Sequence, residues 1–270
     1  TSLDASPNWW GSVAGPVVST QIFGSVTYDP WCGDAECSFL NPNYLPTGVT
    51  ADAIQAAIDA APAGEIIVIP AGTHSKSGGF TIGKAGVTIR LADGAIIQNS
   101  LPCFTVNAYN VTITSATPGG LPKCVPTGSS DGIVVSDGVE GLRIVGIEID
   151  GSDSTGSRDG IHFNGAINNF QIVNNFIHNM GGSAIEFGGT PGGTVKDIQG
   201  NLFQNNTQTA IVAPSGANLN ATYNSWGTMA APEIPDVTTD PNTHVKVFVE
   251  SSGTPWANQV VAGATSTIKY

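Results

Sequence analysis

The amino-acid sequence predicts an all-β solenoid of stacked parallel coils, because two series of short apolar segments recur along it in step. Successive segments of the first series end 24, 31, 28, 26 and 23 residues apart, at Ile89, Ile113, Ile144, Ile172, Ile198 and Ala221. Segments of the second series begin 28, 24 and 26 residues apart, at Asp131, Asp159, Ser183 and Thr209. Two strand series that share one variable period indicate coils that each carry several strands joined by turns.

The residues within each coil support this prediction. In residues 144–149, Ile-Val-Gly-Ile-Glu-Ile, apolar side chains recur two positions apart on either side of a turn, so they are expected to point into a common core. Asn175, Asn201 and Asn224 occupy one register on successive coils. Asparagine tolerates left-handed turns and can bond to its copies above and below, so we interpret this row as an internal turn ladder. A row of ligand-binding amides is the alternative interpretation.

A short amphipathic helix is predicted at the N-terminal end of the coils. Thr50 is placed to cap its first turn. Its apolar stripe has helical spacing and consists of Ala53, Ile54, Ala57, Ile58 and Ala61. Because the end of a solenoid exposes backbone edges and core side chains, a covering helix is expected there.

Residues 53–73, together with the coil pattern, resemble the right-handed parallel β-helix, or pectate-lyase-like, superfamily. The resemblance covers about residues 50–228 and implies a right-handed parallel β-helix with an amphipathic helix capping its N-terminal end. It does not imply an activity, because the sequence lacks the motifs of three enzyme groups in the superfamily. These motifs are the paired Asp-Asp with a following Gly-His-Gly of polygalacturonases, the clustered Lys/Arg set of pectate lyases and the Asp-Pro-His-Glu of mannuronan epimerases.

A second repeat relates the two ends of the chain. Residues 3–12 match residues 219–228 with a constant offset of 216 positions, and residues 26–31 resemble residues 247–256. The shared Asn-x-Trp-Gly…Pro…Pro-Trp pattern resembles the closing segment of β-helix domains in bacterial surface and adhesin-like proteins. We therefore divide the chain into two parts. They are an N-terminal block (residues 1–46) and a parallel β-helix domain (residues 47–270) that carries its own C-terminal block (residues 219–256).

Three arrangements explain a closing block at the start of the chain. In the first, the chain is one period of a tandem array, and the N-terminal block completes the preceding unit. In the second, the N-terminal block docks on a neighbouring copy and gives a head-to-tail assembly, which polymerises unless it closes. In the third, the block is an extension that folds along the chain's own β-helix.

The tryptophans of both blocks are expected to pack at the ends of the solenoid and to serve assembly, with sugar stacking as the alternative. They are Trp9, Trp10, Trp31, Trp226 and Trp256.

Charge and hydropathy exclude several classes of partner. The chain has 9 Lys and Arg against 21 Asp and Glu, a formal net charge of −12, which leaves no basic surface for nucleic acid. Binding of polyanionic polysaccharides is disfavoured for the same reason. No apolar stretch approaches the roughly 20 residues that span a bilayer, so no membrane span is expected. The chain starts at Thr1 with no basic region, which is typical of a mature or excised protein.

The four cysteines indicate an oxidising location. Cys32 and Cys37 lie five positions apart, Cys103 and Cys124 flank a stretch rich in Pro and Gly, and the spacings are not those of zinc sites. We predict the local disulfides Cys32–Cys37 and Cys103–Cys124, and with them an extracellular or cell-surface location. Free buried thiols are the alternative.

The candidate catalytic site lies on the outward face of the coils. Asp131 and Asp159 occupy equivalent positions on adjacent coils, on the order of 5 Å apart, and His162 and Glu186 are expected to be neighbours on one face. Paired carboxylates beside a histidine suit general acid–base hydrolysis of a glycoside. Calcium binding and simple turn chemistry, in which Asp caps the bend, are the alternatives. Three further residues are candidates for binding: Arg158, Asp153 and His178.

From these observations we expect a non-enzymatic extracellular structural or surface protein, a repeat unit or head-to-tail subunit of a sheath, filament or adhesin. The repeat offset, the polar but uncharged surface and the missing catalytic motifs motivate this expectation. The alternative is a carbohydrate-active enzyme of hydrolase or lyase type that acts on a neutral or weakly charged polysaccharide, and a glycan-binding module comes third. The expected partners are copies of the chain or extracellular polysaccharide; no cofactor is expected, and Ca²⁺ is the one ion considered.

Overall fold

Five short strands precede the coils in the described part of the N-terminal block. The computed structural model describes residues 3–12, 15, 16, 22 and 24–227, together with three short strands farther on. The first five strands are β1 (Leu3–Asp4), β2 (Val26–Thr27), β3 (Trp31–Cys32), β4 (Leu40–Asn41) and β5 (Asn43–Tyr44). β1 pairs with β2 in parallel, whereas β3 pairs with β4 in antiparallel orientation.

One helix, α1 (Ala51–Ala60), occurs within the described residues and leads into the coils. Thr50 Oγ1 accepts a hydrogen bond from the Ala53 N–H at 3.2 Å, which confirms the predicted cap. Ile54 and Ile58 are fully buried against the core of the first coil. Packing of this apolar stripe stabilises a helix that would be too short to persist alone in water.

Six successive coils follow, and each contributes three strands. In chain order they are β6 (Ile66–Ile69), β7 (Gly72–His74), β8 (Phe80–Ile82); β9 (Thr88–Leu91), β10 (Ala95–Asn99), β11 (Phe104–Val106); β12 (Thr112–Ser115), β13 (Lys123–Pro126), β14 (Ile133–Val135); β15 (Arg143–Val145), β16 (Glu148–Asp150), β17 (Ile161–Phe163); β18 (Asn168–Val173), β19 (Phe176–His178), β20 (Ile185–Phe187); and β21 (Gly192–Gln199), β22 (Leu202–Gln204), β23 (Ile211–Val212).

Strands of successive coils pair in parallel and build three long sheets. Sheet 1 contains the first strand of every coil, with β5 added at one end and β24 (Leu219–Ala221) and β25 (Val237–Thr239) at the other. Sheet 2 contains the second strands, β7 to β22, and sheet 3 the third strands, β8 to β23. The described chain is therefore the predicted all-β parallel β-helix. A separate antiparallel pair consists of β26 (His244–Val245) and β27 (Val260–Val261).

The core lies inside the coils and is filled by alternate residues of the strands. In sheet 3, for example, Ile161 and Phe163 are buried, whereas His162 between them is half-buried on the outer face. The Phe163 ring stacks on that of Phe187 in the next coil, with centroids 4.5 Å apart. Equivalent apolar residues therefore pack on each other from coil to coil, as the period-two pattern predicts.

The asparagine row is the predicted internal turn ladder. Asn201 Oδ1 accepts hydrogen bonds from the Asn175 N–H at 2.9 Å and from Asn175 Nδ2 at 3.0 Å. Asn224 Oδ1 accepts from the Asn201 N–H at 2.8 Å and from Asn201 Nδ2 at 3.0 Å. All three residues are buried. Because these amides bond to the turns of neighbouring coils, the structure favours the ladder over a row of ligand-binding amides.

Polar side chains cover the first edges of the sheets. Gln55 of α1 donates from Nε2 to the Thr81 carbonyl at 2.8 Å, and the Thr81 N–H donates to Gln55 Oε1 at 2.9 Å. The side-chain amide thus takes the place of a neighbouring strand on β8. At sheet 1, β5 pairs with β6, and Asn41 Oδ1 accepts from the Ile66 N–H at 2.7 Å. The helix covers the end of sheet 3, while β5 covers the end of sheet 1.

Both predicted disulfides are present, Cys32–Cys37 and Cys103–Cys124. The second is fully buried, and because Cys124 lies in β13 and Cys103 directly precedes β11, it ties two adjacent coils together. No helix in the described ranges is long and apolar enough to cross a membrane. Trp256 and most of the C-terminal block lie outside the described residues, which include only 219–227 and the strands of that block.

Candidate functional site

Three of the four predicted catalytic residues, Asp159, His162 and Glu186, come together beside the outer face of sheet 3, whereas Asp131 is not part of that group. His162 of β17 is the register partner of Glu186 of β20, as the sequence predicts. The neighbours of this pair on the same face are valines, Val134 on the preceding coil and Val212 on the following one. The two titratable side chains therefore lie side by side across one strand spacing, with a valine on either side of the pair.

Asp131 and Asp159 use one carboxylate oxygen each to cap turns. Asp131 Oδ1 accepts a hydrogen bond from the Asp159 N–H at 2.9 Å, and Asp159 Oδ1 accepts from the Ser183 N–H at 2.7 Å. Each carboxylate thus holds the start of the next coil, as the turn interpretation predicts. The second oxygen of Asp159 points to different partners and joins the cluster on sheet 3.

Asp159, His162 and Glu186 form a compact cluster. Asp159 Oδ2 lies 3.2 Å from His162 Nδ1, and one polar atom from each of the three residues lies within 4.8 Å of the others. Asp159 is buried, whereas the His162 side chain is 26% exposed, so the cluster is open to solvent on one side. A solute molecule can reach the histidine and Glu186 from outside.

The pKa of Glu186 lies above its usual range. Burial is the largest cause, and the hydrogen bond to Asp159 and the negative charge of Asp159 add to it; the charge of His162 acts in the opposite direction. Because a neighbouring carboxylate disfavours a second negative charge, Glu186 retains its proton to a higher pH than an isolated glutamate. Such a pair supplies an acid and a base side by side, the arrangement that proton transfer to a substrate requires.

A second cluster lies on the outer face of sheet 2. His178 Nε2 is 3.0 Å from Glu148 Oε1, and His178 Nδ1 is 3.6 Å from Asp150 Oδ1. Lys123 Nζ approaches the same Glu148 oxygen at 2.7 Å, and the ring of Phe176 stacks on the imidazole with centroids 3.9 Å apart. Lys123 and His178 thus both contact the Glu148 carboxylate, as in a structural ion-pair network.

Sequence reasoning missed Glu148 and Lys123. They are register partners in β13 and β16, and Glu148 is in turn the partner of Phe176. The signal lies in the alternation of the second strand of each coil, where Glu148 and Asp150 flank the buried Ile149. Applying the period of two to that strand places both carboxylates on the outer face beside His178.

Burial acts to raise the pKa of Asp150, but stronger opposing contacts leave it below its usual value. The Ser152 N–H donates to Asp150 Oδ1 at 3.1 Å and Asn179 Nδ2 donates to the same oxygen at 3.2 Å, while the charge of His178 adds to their effect. The carboxylate is therefore held in its ionised form.

Two candidate binding residues, Asp153 and Arg158, belong to neither cluster. Asp153 is exposed in the loop between β16 and β17. Arg158 is half-buried and its Nε has no hydrogen-bond partner in the described structure. No ion pair between Arg158 and Asp159 occurs among the described residues, so neutralisation of Asp159 by its neighbour is not observed. His178 belongs to the sheet 2 cluster and does not join Asp159.

Each cluster offers three ligand atoms to a metal ion. One set is Glu148, Asp150 and His178, and the other is Asp159, His162 and Glu186. Calcium prefers six to eight oxygen ligands, whereas a set with one imidazole and two carboxylates suits transition metals such as Zn²⁺ or Mn²⁺. The solvent-open sheet 3 cluster fits such an ion better, and calcium at this place stays a prediction.

The tryptophans fall into different environments. Trp226 packs over Phe203, with ring centroids 5.3 Å apart, and contacts the core at the last described coil. Trp31 is buried, Trp10 is half-buried and Trp9 is 38% exposed. The described part of the C-terminal block thus contains the predicted end-packing contact, whereas the N-terminal block presents one of its tryptophans to solvent.

The two blocks share a hydrogen bond at equivalent positions. Asn224 Nδ2 donates to the Ala221 carbonyl three residues earlier at 2.8 Å. Asn8 Nδ2 donates to the Ala5 carbonyl, again three residues earlier. Both pairs obey the offset of 216 positions that relates the two blocks. The sequence repeat is therefore a repeat of local structure as well.

A second shared hydrogen bond lies next to the first. The Thr222 hydroxyl donates to Asn220 Oδ1 at 2.9 Å, and the equivalent Ser6 hydroxyl donates to Asp4 Oδ1 at 2.8 Å. Each block also begins with a strand that takes a parallel partner, β24 with β25 and β1 with β2. The two partner strands are not equivalent in sequence. The residues that resemble β2 lie within 247–256, whereas β25 lies earlier in the chain.

Comparison with known proteins gives no family for this chain. No protein-family model, no curated protein and no solved structure matches it. The duplicated block and the sheet 3 cluster are therefore the features from which a function is inferred.

Proposed function

We propose that this chain is a non-enzymatic structural unit of an extracellular sheath, filament or adhesin, in which parallel β-helix units join end to end. The observation that carries the proposal is the duplicated closing block. The same strand and the same two side-chain hydrogen bonds occur in residues 3–8 and again in residues 219–224. A closing element at both ends suits a unit that continues into another unit.

Composition and covalent structure support this proposal. Only 11% of the residues are charged, so hydroxyl, amide and glycine groups make up much of the surface. Two disulfides, one of them between adjacent coils, are typical of proteins in oxidising surroundings. A solenoid also resists local opening along its length, because each coil is bonded to the coils on both sides.

The mass of the purified native material tests this proposal. Under non-reducing conditions, a protein that joins end to end gives a series of species at multiples of 27.6 kDa that grows with concentration. A Trp9→Ser variant changes an exposed aromatic residue of the N-terminal block and is expected to shorten the series. A single species of 27.6 kDa at every concentration would contradict end-to-end joining.

A second candidate function is a carbohydrate-active enzyme that acts on a neutral or weakly charged polysaccharide. The observation that favours it is the raised pKa of Glu186 beside Asp159. In this candidate, Glu186 donates a proton to the glycosidic oxygen, Asp159 acts as the partner carboxylate, and His162 orients Asp159. A glycan-binding module that uses the same face without chemistry is the third candidate.

An Asp159→Asn variant tests the enzyme candidate against neutral glycans. Loss of about 100-fold or more of any hydrolytic rate is expected, since the proton-transfer partner is removed. Asp93→Asn is the matched control, because it changes an exposed aspartate outside both clusters. Equal rates for both variants would exclude Asp159 from the chemistry.

A further inference from the structure

We infer that the exposed face of the N-terminal block, formed by Leu3, Ala5 and Asn8, is a docking face for the last coil of another parallel β-helix unit. This inference rests on the proposed function, because it names the surface through which units would join. The occupant is a coil of the same kind as residues 192–218, linked directly ahead of Leu3. The C-terminal block carries the argument, since it shows what covers the same face there.

Equivalent residues of the two blocks differ sharply in burial. Leu219 is 1% exposed, whereas its equivalent Leu3 is 66% exposed. Asn224 is buried, whereas its equivalent Asn8 is exposed. Because the local hydrogen bonds are the same, the difference comes from what lies against the face. An exposed leucine at this place leaves a core-type position uncovered.

In the C-terminal block, the preceding coil covers this face. Asn220 is the register partner of Asp197 in β21 and donates from Nδ2 to Asp197 Oδ1 at 2.9 Å. Asn224 Oδ1 accepts two hydrogen bonds from Asn201, so the turn ladder continues into the block. The covering coil thus supplies a parallel strand and an asparagine in the ladder position.

The same chemistry defines the occupant of the N-terminal face. It is a parallel strand that runs beside β1 and is followed by a turn asparagine that donates to Asn8 Oδ1. The position of Asp197 is the one unfavourable match, because Asp4 stands where Asn220 donates to it. Two carboxylates in that register repel each other, so a hydrogen-bond donor opposite Asp4 is preferred.

The chain's own coils and a second copy are both poor occupants. The chain's first coil is already bonded to β5, beyond the opposite end of the N-terminal block. In a second copy, β24 already pairs with β21, so the N-terminal block would have to displace it. A coil linked directly ahead of Leu3 meets neither obstacle, and the constant offset of 216 positions keeps the register continuous when residue 218 is followed by Leu3.

A tandem fusion tests the inference. Residues 1–218 are placed directly ahead of residues 3–270, and hydrogen exchange is followed in peptides that span the junction between residue 218 and Leu3. About 100-fold slower exchange is expected there than in the first residues of the unfused chain, because a covered strand opens far less often than an exposed one. The peptide around Leu219 serves as the reference for a covered block.

Three substitutions in the N-terminal block that follows the junction sharpen the test. Leu3→Asp is expected to abolish the added protection, whereas Leu40→Asp, at another exposed leucine of the same block, leaves it in place. Asp4→Asn is expected to slow exchange further by about threefold, since it restores the donor that faces Asp197 in the C-terminal block. The main comparison, between the fused and unfused wild-type chains, does not depend on the folding of any substituted chain.

Three outcomes overturn the inference. Junction peptides that exchange as fast as the free N-terminus show that no coil covers the face. Protection that survives Leu3→Asp places the contact elsewhere. Protection that rises with the concentration of the unfused chain makes a second copy the occupant. Failure of this inference and failure of the proposed function are distinguishable. If the native protein is multimeric but the junction peptides of the fusion are unprotected, end-to-end joining stands and only the docking role of the Leu3 face is refuted.

Discussion

At the scale of single residues, buried amides hold the coils together. Asn201 takes part in the ladder on both sides, and its Nδ2 also donates to the Ile172 carbonyl at 2.8 Å. A polar side chain with all its groups bonded inside a core adds specificity, because any other register leaves those groups without partners. The ladder thus fixes which turn stacks on which.

Asn201→Ala is expected to lower the free energy of unfolding by about 3 kcal/mol. The substitution leaves the buried Asn175 N–H without its acceptor, at a cost on the order of 1–3 kcal/mol, and it removes the side-chain hydrogen bonds of Asn201 to Asn224 and the Ile172 carbonyl. Chemical denaturation of the variant and of Asn164→Ala, an exposed asparagine, measures the difference. Equal midpoints for the two variants would show that the ladder contributes nothing to stability.

The pH dependence of Glu186→Gln tests the carboxyl pair. The pKa of Glu186 is raised above its ordinary value of 4.5 in the folded state, so the folded state holds the proton more tightly than the unfolded one. Stability from this group is present in acid and is lost as the pH rises through the folded pKa. Glutamine removes that loss and is expected to stabilise the protein above this range, by less than about 1 kcal/mol at a partly exposed site.

Thermal unfolding at pH 3.5 and pH 8 measures the effect of Glu186→Gln. The variant is expected to match the wild type in acid and to exceed its Tm at the higher pH. Glu36→Gln, at an exposed glutamate between the paired cysteines of the N-terminal block, is the control and is expected to change little at either pH. A variant that is stabilised equally at both pH values would contradict the raised pKa of Glu186.

The coil period predicted which site residues are neighbours, but it did not predict the contacts of each side chain. Equivalence of His162 and Glu186 followed from the coil period, because parallel strands in register place equivalent residues side by side. The sequence did not predict that one oxygen of Asp159 caps the turn while the other lies beside His162, because this depends on a side-chain torsion. The sheet 2 cluster was missed because its members come from different residue types on each coil.

At the scale of elements, side chains replace the strands that a solenoid lacks at its ends. Gln55 of α1 pairs with both backbone groups of Thr81 and so closes the edge of sheet 3. The sequence predicted the helix and its cap from spacing alone. It did not predict the edge-covering role of Gln55, because the register of the helix against β8 is set by packing of Ile54 and Ile58.

Removal of the Cys103–Cys124 disulfide is expected to destabilise the protein by about 3 kcal/mol. The bond closes a loop with a sequence separation of 21 residues, and loop closure of that size restricts the unfolded chain by about this amount. The double change Cys103→Ala and Cys124→Ala, followed by denaturation, measures it. Loss of the Cys32–Cys37 bond, with a separation of 5, is expected to cost about 2 kcal/mol.

An outcome with the larger loss at Cys32–Cys37 would contradict this ranking. It would mean that the short loop of the N-terminal block supports the coils more than the bond between adjacent coils does. Both double variants change two cysteines to alanine, so differences in side-chain volume largely cancel.

At the scale of the whole molecule, the period of the sequence determines its shape. Coils in a parallel β-helix stack at about 4.8 Å, so the nine strands of sheet 1 span roughly 40 Å along the axis. The fold was predictable because the repeat appears in two independent strand series. The relation of the N-terminal block to neighbouring units was not predictable, because the burial of Leu3 depends on a partner and not on the sequence around Leu3.

Negative-stain electron microscopy of the purified native protein tests end-to-end joining most directly. Rods or filaments with an axial repeat of roughly 40 Å, the length of one stack of coils, are expected. Trp9→Ser is expected to shorten the rods, whereas Leu40→Asp is expected to leave them unchanged. Isolated particles of one solenoid length at every concentration, in both the wild type and the variants, would contradict end-to-end joining.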